Sequence, residues 1–269
     1  MSEPKQRHSD IESRETMYAE ERHQAIAGLM RERGRVSVSE VADRFGVTSE
    51  TARRDLAALE RTGLLRRVHG GAVPVERFGF EGRLVPRIGS RQDEKTRIAV
   101  QAATMIAGAE TLYLDAGSTV QALAERLRPA RPITVVTNAL PVAMLLAGRP
   151  GVSLLLIGGR VRGHSLGTVD HWAIRMLDEL VIDLAVLGTN GISVERGLTC
   201  PDAGVAAVKS AAVAVSRRRM LLADGAKFGV DSSYRFSHVR DLTTVITDRI
   251  AGERHIRALR AVGVEVVVT

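Results

Sequence analysis

The chain has 269 residues, 45% of them hydrophobic and 26% charged, which suits one or two water-soluble domains with a sizeable core. A lone cysteine, Cys200, excludes a disulfide scaffold and a cysteine-based zinc site. Lys+Arg is 38 against 31 Asp+Glu, a net +7, but only Lys5, Lys95, Lys209 and Lys227 are lysines, so an arginine-rich composition alone could raise the charge.

Position must therefore decide whether the partner is a polyanion. Five Phe, three Tyr and one Trp are too few for a base-stacking single-strand or RNA platform. The uncharged stretch Pro132–Gly148 contains Thr, Asn and a second Pro and does not read as a membrane span. The opening MSEPKQRHSD has no apolar centre and does not read as a signal peptide. The expectation is a cytoplasmic protein with no membrane partner.

In chain order, residues 1–17 are polar without a hydrophobic period and read as a disordered lead. Residues 18–75 read as three short helices and a hairpin. Residues 76–92, with Gly79, Gly82, Pro86 and Gly89, read as a linker, and residues 93–269 as an α/β domain.

The first helix is expected over Ala19–Arg33, with Ile26, Leu29 and Met30 on one face and Gly34 as its stop. Ser37 and Glu40 have capping-box spacing and open a helix over 38–45 that buries Val41, Ala42 and Phe45. Gly46-Val47 turns the chain. Thr48 caps a third helix that runs to about Thr62, with Gly63 beyond it and Ala52, Leu56 and Leu59 as its buried stripe. Ser49, Glu50, Thr51, Arg53 and Arg54 lie at or near its opposite face.

A short helix, a glycine turn and a longer basic-faced helix form the helix-turn-helix plan. The following Leu64–Val73 segment alternates and turns at Gly70-Gly71, which reads as a wing carrying Arg66, Arg67 and His69. Residues 51–75 hold five arginines against Asp55 and Glu60. Arginines on an arbitrary helix are usually solvated and paired with neighbours, here Asp55 and Glu60. Within this capped frame and beside a basic wing, contact with duplex DNA is the better reading. Arginine suits both guanine edges and phosphates.

In the third zone, aliphatic segments at Thr111–Leu114, Ile133–Val136, Ser153–Ile157, Leu184–Leu187, Met220–Ala223, Thr244–Thr247 and Val264–Val268 read as buried strands. Helical runs over 94–107, 118–127, 139–147, 169–179, 204–216 and 252–261 separate most of them. The alternation implies a mostly parallel sheet covered on both faces, with ligand sites beyond the strands' carboxyl ends.

Four post-strand loops are candidates. Asp115, Gly117, Ser118 and Thr119 open a helix whose N-terminus favours an anion. Thr137 and Asn138 follow the second strand, Gly158, Gly159 and Arg160 the third, and Gly188, Asn190 and Gly191 the fourth. Any one could be an ordinary turn; four on one sheet edge suggest a binding site. Lys209 and Lys227 would add positive charge there. Asp115 and Asp224 end what read as adjacent strands and could take hydroxyls, orient a lysine, or merely cap their loops.

The strings Glu21-Arg-His-Gln-Ala-Ile26, Phe45-Gly-Val-Thr48, Thr51-Ala-Arg-Arg-Asp-Leu56 and Arg67-Val-His-Gly-Gly-Ala-Val73 resemble the winged helix-turn-helix of DeoR-family transcriptional regulators. Glu94-Lys95, Leu114-Asp-Ala-Gly-Ser-Thr119, Val135-Val-Thr-Asn138, Gly158-Gly159, Gly188-Thr-Asn-Gly-Ile192, Leu222-Ala-Asp224, Lys227-Phe-Gly229 and Ile246-Thr-Asp248 resemble that family's sensor domain. The resemblance covers about residues 20–269. It implies a fold related to ribose-5-phosphate isomerase, a phosphorylated sugar-like effector, and a homo-oligomer of two or four copies. No cofactor is implied.

Two positions depart from the family pattern. Ala52 stands where an isoleucine is usual, a modest loss of core volume. Val205 stands where a carboxylate precedes the lysine matched by Lys209; valine cannot shuttle protons, so isomerase chemistry loses its base. The seven histidines show no metal-ligand spacing, and Cys200 has no adjacent base.

The reading is a sequence-specific, ligand-controlled DNA-binding regulator, a repressor by expectation, and not an enzyme. Two rivals remain at this point. One is a sugar-phosphate isomerase-like enzyme with an appended DNA-binding domain; the other is an architectural DNA-binding protein whose second domain only oligomerises.

Overall fold

The computed structural model describes residues 18–33, 36–61, 65–68, 70–74 and 91–269. The expected lead, Gly34, Gly63, His69 and residues 76–90 of the expected linker lie outside the described residues. The chain divides into two compact units, Met1–Arg77 and Phe78–Thr269.

In the first unit, α1 spans Ala19–Arg33, α2 Val38–Phe45 and α3 Ser49–Arg61. Ser37 Oγ accepts the Glu40 N–H at 3.1 Å and sets the start of α2. Gly46 ends it in the left-handed region, φ 62°, with its N–H on the Ala42 carbonyl. Thr48 Oγ1 caps α3 by accepting the Thr51 N–H at 3.1 Å.

Ile26, Leu29, Met30, Val41, Ala42, Ala52, Leu56 and Leu59 form the shared core, joined by Val36, Leu65 and Ala72. Phe45 is only half-buried against it. The wing is β2 (Leu65–Val68) antiparallel to β3 (Gly71–Pro74), and a short β1 (Val36–Ser37) that the sequence did not suggest pairs with β3. A Cβ at Gly71 would lie 2.1 Å from the Val36 carbonyl oxygen, so the close approach of β1 requires glycine.

The second unit is a seven-stranded parallel sheet. Its strands are β4 (Thr111–Leu114), β5 (Ile133–Thr137), β6 (Val152–Leu156), β9 (Ile182–Leu187), β12 (Ser216–Leu222), β14 (Thr244–Thr247) and β15 (Glu265–Val268), in the order β15-β14-β12-β9-β4-β5-β6. Alternation in each central strand sends side chains to two cores. Leu112, Leu114, Leu184, Val186 and Leu222 meet α4 (Gln92–Met105), α5 (Ser118–Arg126) and α6 (Leu140–Leu146) on one face. Tyr113, Ala185, Leu187, Leu221 and Val245 meet α7 (His171–Asp178), α8 (Ala203–Ala214) and α9 (Glu253–Ala261) on the other.

Three expectations are corrected. The segments expected to be buried at 153–157 and 264–268 include the edge strands β6 and β15, which have one strand neighbour each; within those segments only Ile157, Val264 and Val266 are buried. Asp115 and Asp224 do not end adjacent strands, because β9 lies between β4 and β12. The expected linker ends early, since α4 begins at Gln92 with Arg91 as its N-cap. The structure also holds two small antiparallel sheets: β7 (Arg160–Arg162) with β8 (Gly167–Val169), and β10 (Gly191–Ser193), β11 (Gly197–Cys200) and β13 (Tyr234–Ser237).

Candidate functional site

Two surfaces carry chemistry, one in each unit. On the first, α3 presents exposed Ser49, Glu50, Arg53 and Arg54, with Thr51 half-buried. Glu50 sits 3.7 Å from the Arg53 guanidinium and 3.6 Å from that of Arg54. Such exposed pairs contribute little to stability and can be exchanged for phosphate.

Asp55 and Glu60, the partners suggested by sequence, do other work. Asp55 points inward and binds Arg22 and His23 of α1. Glu60 Oε1 accepts the Arg67 main-chain N–H at 2.9 Å, tying the end of α3 to the wing. Asp55 is thus withdrawn from the outer face, which leaves that face more positive than a residue count implies. The Arg67 side chain is exposed. Arg66 lies in β2 opposite Val73; its side chain, and all of His69, fall outside the described residues.

On the second unit, one cavity opens at the carboxyl ends of β4, β9 and β12. Of the candidate residues, Asp115, Gly117, Ser118, Thr119, Asn138, Gly188, Asn190, Lys209, Asp224 and Lys227 line it together. Thr137, Gly158, Gly159, Arg160 and Gly191 do not, and each has a local reason.

Thr137 Oγ1 turns into the sheet, donating to the Leu114 carbonyl at 2.6 Å and accepting from Ala139 N–H. The Gly158 N–H meets the Met176 sulfur at 3.2 Å. A Cβ on Gly159 would meet the Val169 carbonyl at 2.6 Å, so it serves the packing of β8. The exposed Arg160 opens β7, with its N–H on Asp170. Gly191 is pressed against the Val230 carbonyl in β10.

The cavity's floor is a buried ion pair. Lys209 Nζ on α8 bonds Asp115 Oδ2 and donates to the Gly188 carbonyl at 2.9 Å. The same Asp115 oxygen accepts the Gly188 N–H at 2.9 Å. Asp115 is 1% and Lys209 4% exposed, and the Phe236 ring covers the ammonium at 5.1 Å. This arrangement clamps the loops after β4 and β9 to α8. Beside it, Tyr113 Oη donates to Asn138 Oδ1 at 2.9 Å, while Asn138 Nδ2 donates to the Thr168 carbonyl at 3.0 Å. Burial, reinforced by the Asp115 charge, pushes the Tyr113 phenol well above its ordinary range, so it stays a donor.

Sequence reasoning missed several lining residues. Arg91 and Lys95 reach the cavity from the first turns of α4, Ser165 and Gly167 from the β7–β8 hairpin, and Thr189 and Ala226 from post-strand loops. Lys95 was visible only within the Glu94-Lys95 string. Arg91 sat inside a stretch read as linker. Val205 lines the cavity beside Lys209, where it adds an apolar wall instead of a proton carrier. Among the described residues, no group of three His, Cys, Asp or Glu side chains could hold a metal. Among them too, no helix is long and apolar enough to cross a membrane.

Comparison with known proteins matches both units. Residues 22–78 fit the model of the DeoR-like helix-turn-helix domain, and residues 90–249 fit that of the DeoR C-terminal sensor domain. The HTH-type transcriptional repressor GlcR of Bacillus subtilis is 32% identical over 257 residues, covering 94% of this chain and 97% of that protein. The glycerol-3-phosphate regulon repressor of Escherichia coli is 31% identical over 228 residues, covering 85% and 90%. Among solved structures, ribose 5-phosphate isomerase A of Methanocaldococcus jannaschii is 16% identical with a TM-score of 0.38, covering 52% of this chain and 55% of that one.

Proposed function

The chain belongs to the DeoR family of helix-turn-helix transcriptional regulators, and we propose that it represses transcription under the control of a phosphorylated sugar or related metabolite. It is a DNA-binding regulator, not an enzyme; its relatives are named as regulators and repressors. In this reading residues 18–75 bind DNA, 76–90 link, and 91–269, which include the cavity-lining Arg91, sense the effector.

On the DNA side, α3 enters the major groove. Ser49, Glu50, Thr51, Arg53 and Arg54 are proposed to meet bases and nearby phosphates, and Arg66, Arg67 and His69 to hold the backbone. The withdrawal of Asp55 from this face supports that assignment.

One observation carries the effector class. The cavity lining holds four cationic side chains, Arg91, Lys95, Lys209 and Lys227, against two carboxylates, Asp115 and Asp224. The excess of two positive charges matches a phosphate monoester, which carries about two negative charges at neutral pH. Ser118 and Thr119 at the start of α5 add main-chain donors and the positive end of a helix dipole. Asn138, Asn190 and the Asp224 carboxylate are suited to the hydroxyls of a sugar-like body.

The regulator is proposed to work as a cytoplasmic dimer or tetramer. The open edge of the sheet, where β6 exposes Leu155 and Leu156, supports self-association.

Calorimetric titration of the full chain with paired phosphorylated and dephosphorylated sugars tests the effector class. Binding confined to the phosphorylated members is expected. Equal affinity for a dephosphorylated partner would contradict it.

A further inference from the structure

Arg91 is unusual in three respects. It is one of three non-glycine residues with positive φ among the described residues, at φ 52° and ψ 46°, squarely in the left-handed region. It occupies the N-cap of α4 with no side-chain cap hydrogen bond, although its carbonyl accepts the Lys95 N–H at 3.2 Å. Its side chain lines the cavity, where Nε lies 3.9 Å from Asp224 Oδ1.

A non-glycine residue in the left-handed region is strained and persists only where its surroundings hold it. Asp224 is the visible restraint. That carboxylate is 4% exposed and also accepts the Ala226 N–H at 3.2 Å. An ion pair at 3.9 Å is loose enough to be exchanged. An anion entering the cavity competes with Asp224 for the guanidinium, and loss of that contact removes a restraint on the left-handed residue at the head of α4. Chain connectivity gives that release a destination, because the residues preceding Arg91 lead to the DNA-binding unit.

We propose that the Arg91–Asp224 pair links occupancy of the cavity to DNA affinity, through the left-handed N-cap of α4. The proposal rests on the regulator reading above, but its test needs no effector. A link of this kind biases the resting protein between states of different DNA affinity, so breaking the pair changes DNA binding without ligand.

The test is a double-mutant cycle on the full chain, read as affinity for the duplex adjoining its own gene. Arg91→Gly keeps the left-handed backbone accessible and removes the guanidinium. Asp224→Asn keeps an oxygen for the Ala226 N–H and removes the charge. Each variant is expected to shift DNA affinity about fivefold or more in one direction, within the range typical of coupling between sites. The double variant is expected to match either single one, because both break the same contact.

The salt dependence of binding is expected to keep its wild-type slope in all four proteins, since no DNA-contacting residue changes. Wild-type affinity in both single variants, effects that multiply in the double variant, or an altered slope would each overturn the proposal. Adding inorganic phosphate and glycerol 3-phosphate in a second arm separates the two readings. Failure of either probe to bind counts against the effector class, while the cycle still judges the pair.

Discussion

Arg22 of α1 and Asp55 of α3 form a two-pronged buried ion pair, Nε to Oδ2 at 2.6 Å and Nη2 to Oδ1 at 3.1 Å. His23 Nε2 lies 2.9 Å from the same carboxylate. The contact spans 33 residues and fixes the helix proposed to read DNA against the helix that opens the unit. Its neighbours Arg53 and Arg54 are exposed, so a single turn of α3 carries a structural acid on its inner face and two bases on its outer one.

Asp55→Ala removes the two-pronged carboxylate partner of the largely buried Arg22 guanidinium. Removing one partner of a buried pair costs roughly 3 kcal/mol. Duplex binding by the variant is expected to fail at a markedly lower urea concentration than in wild type. An unchanged midpoint would show that the pair contributes nothing.

The same carboxylate sets an acid limit. Burial alone would raise its pKa, but hydrogen bonds from Arg22 and His23 and the Arg22 charge hold it below the usual carboxylate range. A depressed folded pKa stabilises fully above the unfolded value of about 3.9, and that contribution is lost as pH falls through the lower folded value. The stability difference between wild type and Asp55→Ala is therefore expected to shrink below about pH 4. Urea midpoints measured across that range check it.

Arg53 and Arg67 are expected to differ in how they matter. Arg53→Ala is expected to cost about 1–3 kcal/mol on the operator and to relax base preference, as for a base-edge contact. Arg67→Ala is expected to weaken all duplexes alike and to flatten the salt slope by about one unit. Anisotropy titrations at several salt concentrations, with operator and random duplexes, distinguish the two outcomes.

Lys209 and Lys227 separate stability from response. Lys209→Met leaves Asp115 buried without its cation and is expected to cost about 3–5 kcal/mol, seen as a lower Tm. Lys227 is only half-buried. Lys227→Ala is expected to leave Tm within about 1 kcal/mol of stability and to abolish the ligand's effect on DNA binding. A ligand titration like wild type would remove Lys227 from the site.

Val205→Glu adds a carboxylate to the cavity wall and halves its excess positive charge. Inorganic phosphate is expected to bind about tenfold more weakly, the order of one added charge at a partly buried site. Calorimetry on the full chain measures this; tighter binding would contradict the charge argument.

Much of this architecture was legible from local pattern. Thr111–Leu114 and Thr244–Thr247 emerged with the bounds expected, because each is a short aliphatic run between clear breakers. The caps Ser37, Gly46 and Thr48 act where their chemistry predicts. Ten of the fifteen expected cavity residues converge because post-strand loops of a parallel sheet share one edge.

What escaped depends on distant partners or mixed signals. Nothing beside Asp55 reveals a partner at Arg22. Ser216–Arg219 opens β12 with three arginines, which hid the first half of a central strand. The sheet of β10, β11 and β13 is built from segments of three or four residues around Gly191 and Gly197, too short for alternation to register. Glycine, proline and charge crowd the residues before Arg91 and give it the pattern of a linker, while its left-handed backbone leaves no mark in sequence. Thr137 has the composition of a ligand contact, yet its hydroxyl is consumed by the Leu114 carbonyl.

The measurement closest to the central claim is a fluorescence-anisotropy titration of the full chain with the duplex adjoining its own gene. It is run with and without the phosphorylated ligand identified by calorimetry. The account predicts tighter binding than to random duplex, and a change of about 5–150-fold when the ligand is added. Equal affinity for both duplexes at physiological salt, or a complex indifferent to a ligand that demonstrably binds, would contradict it.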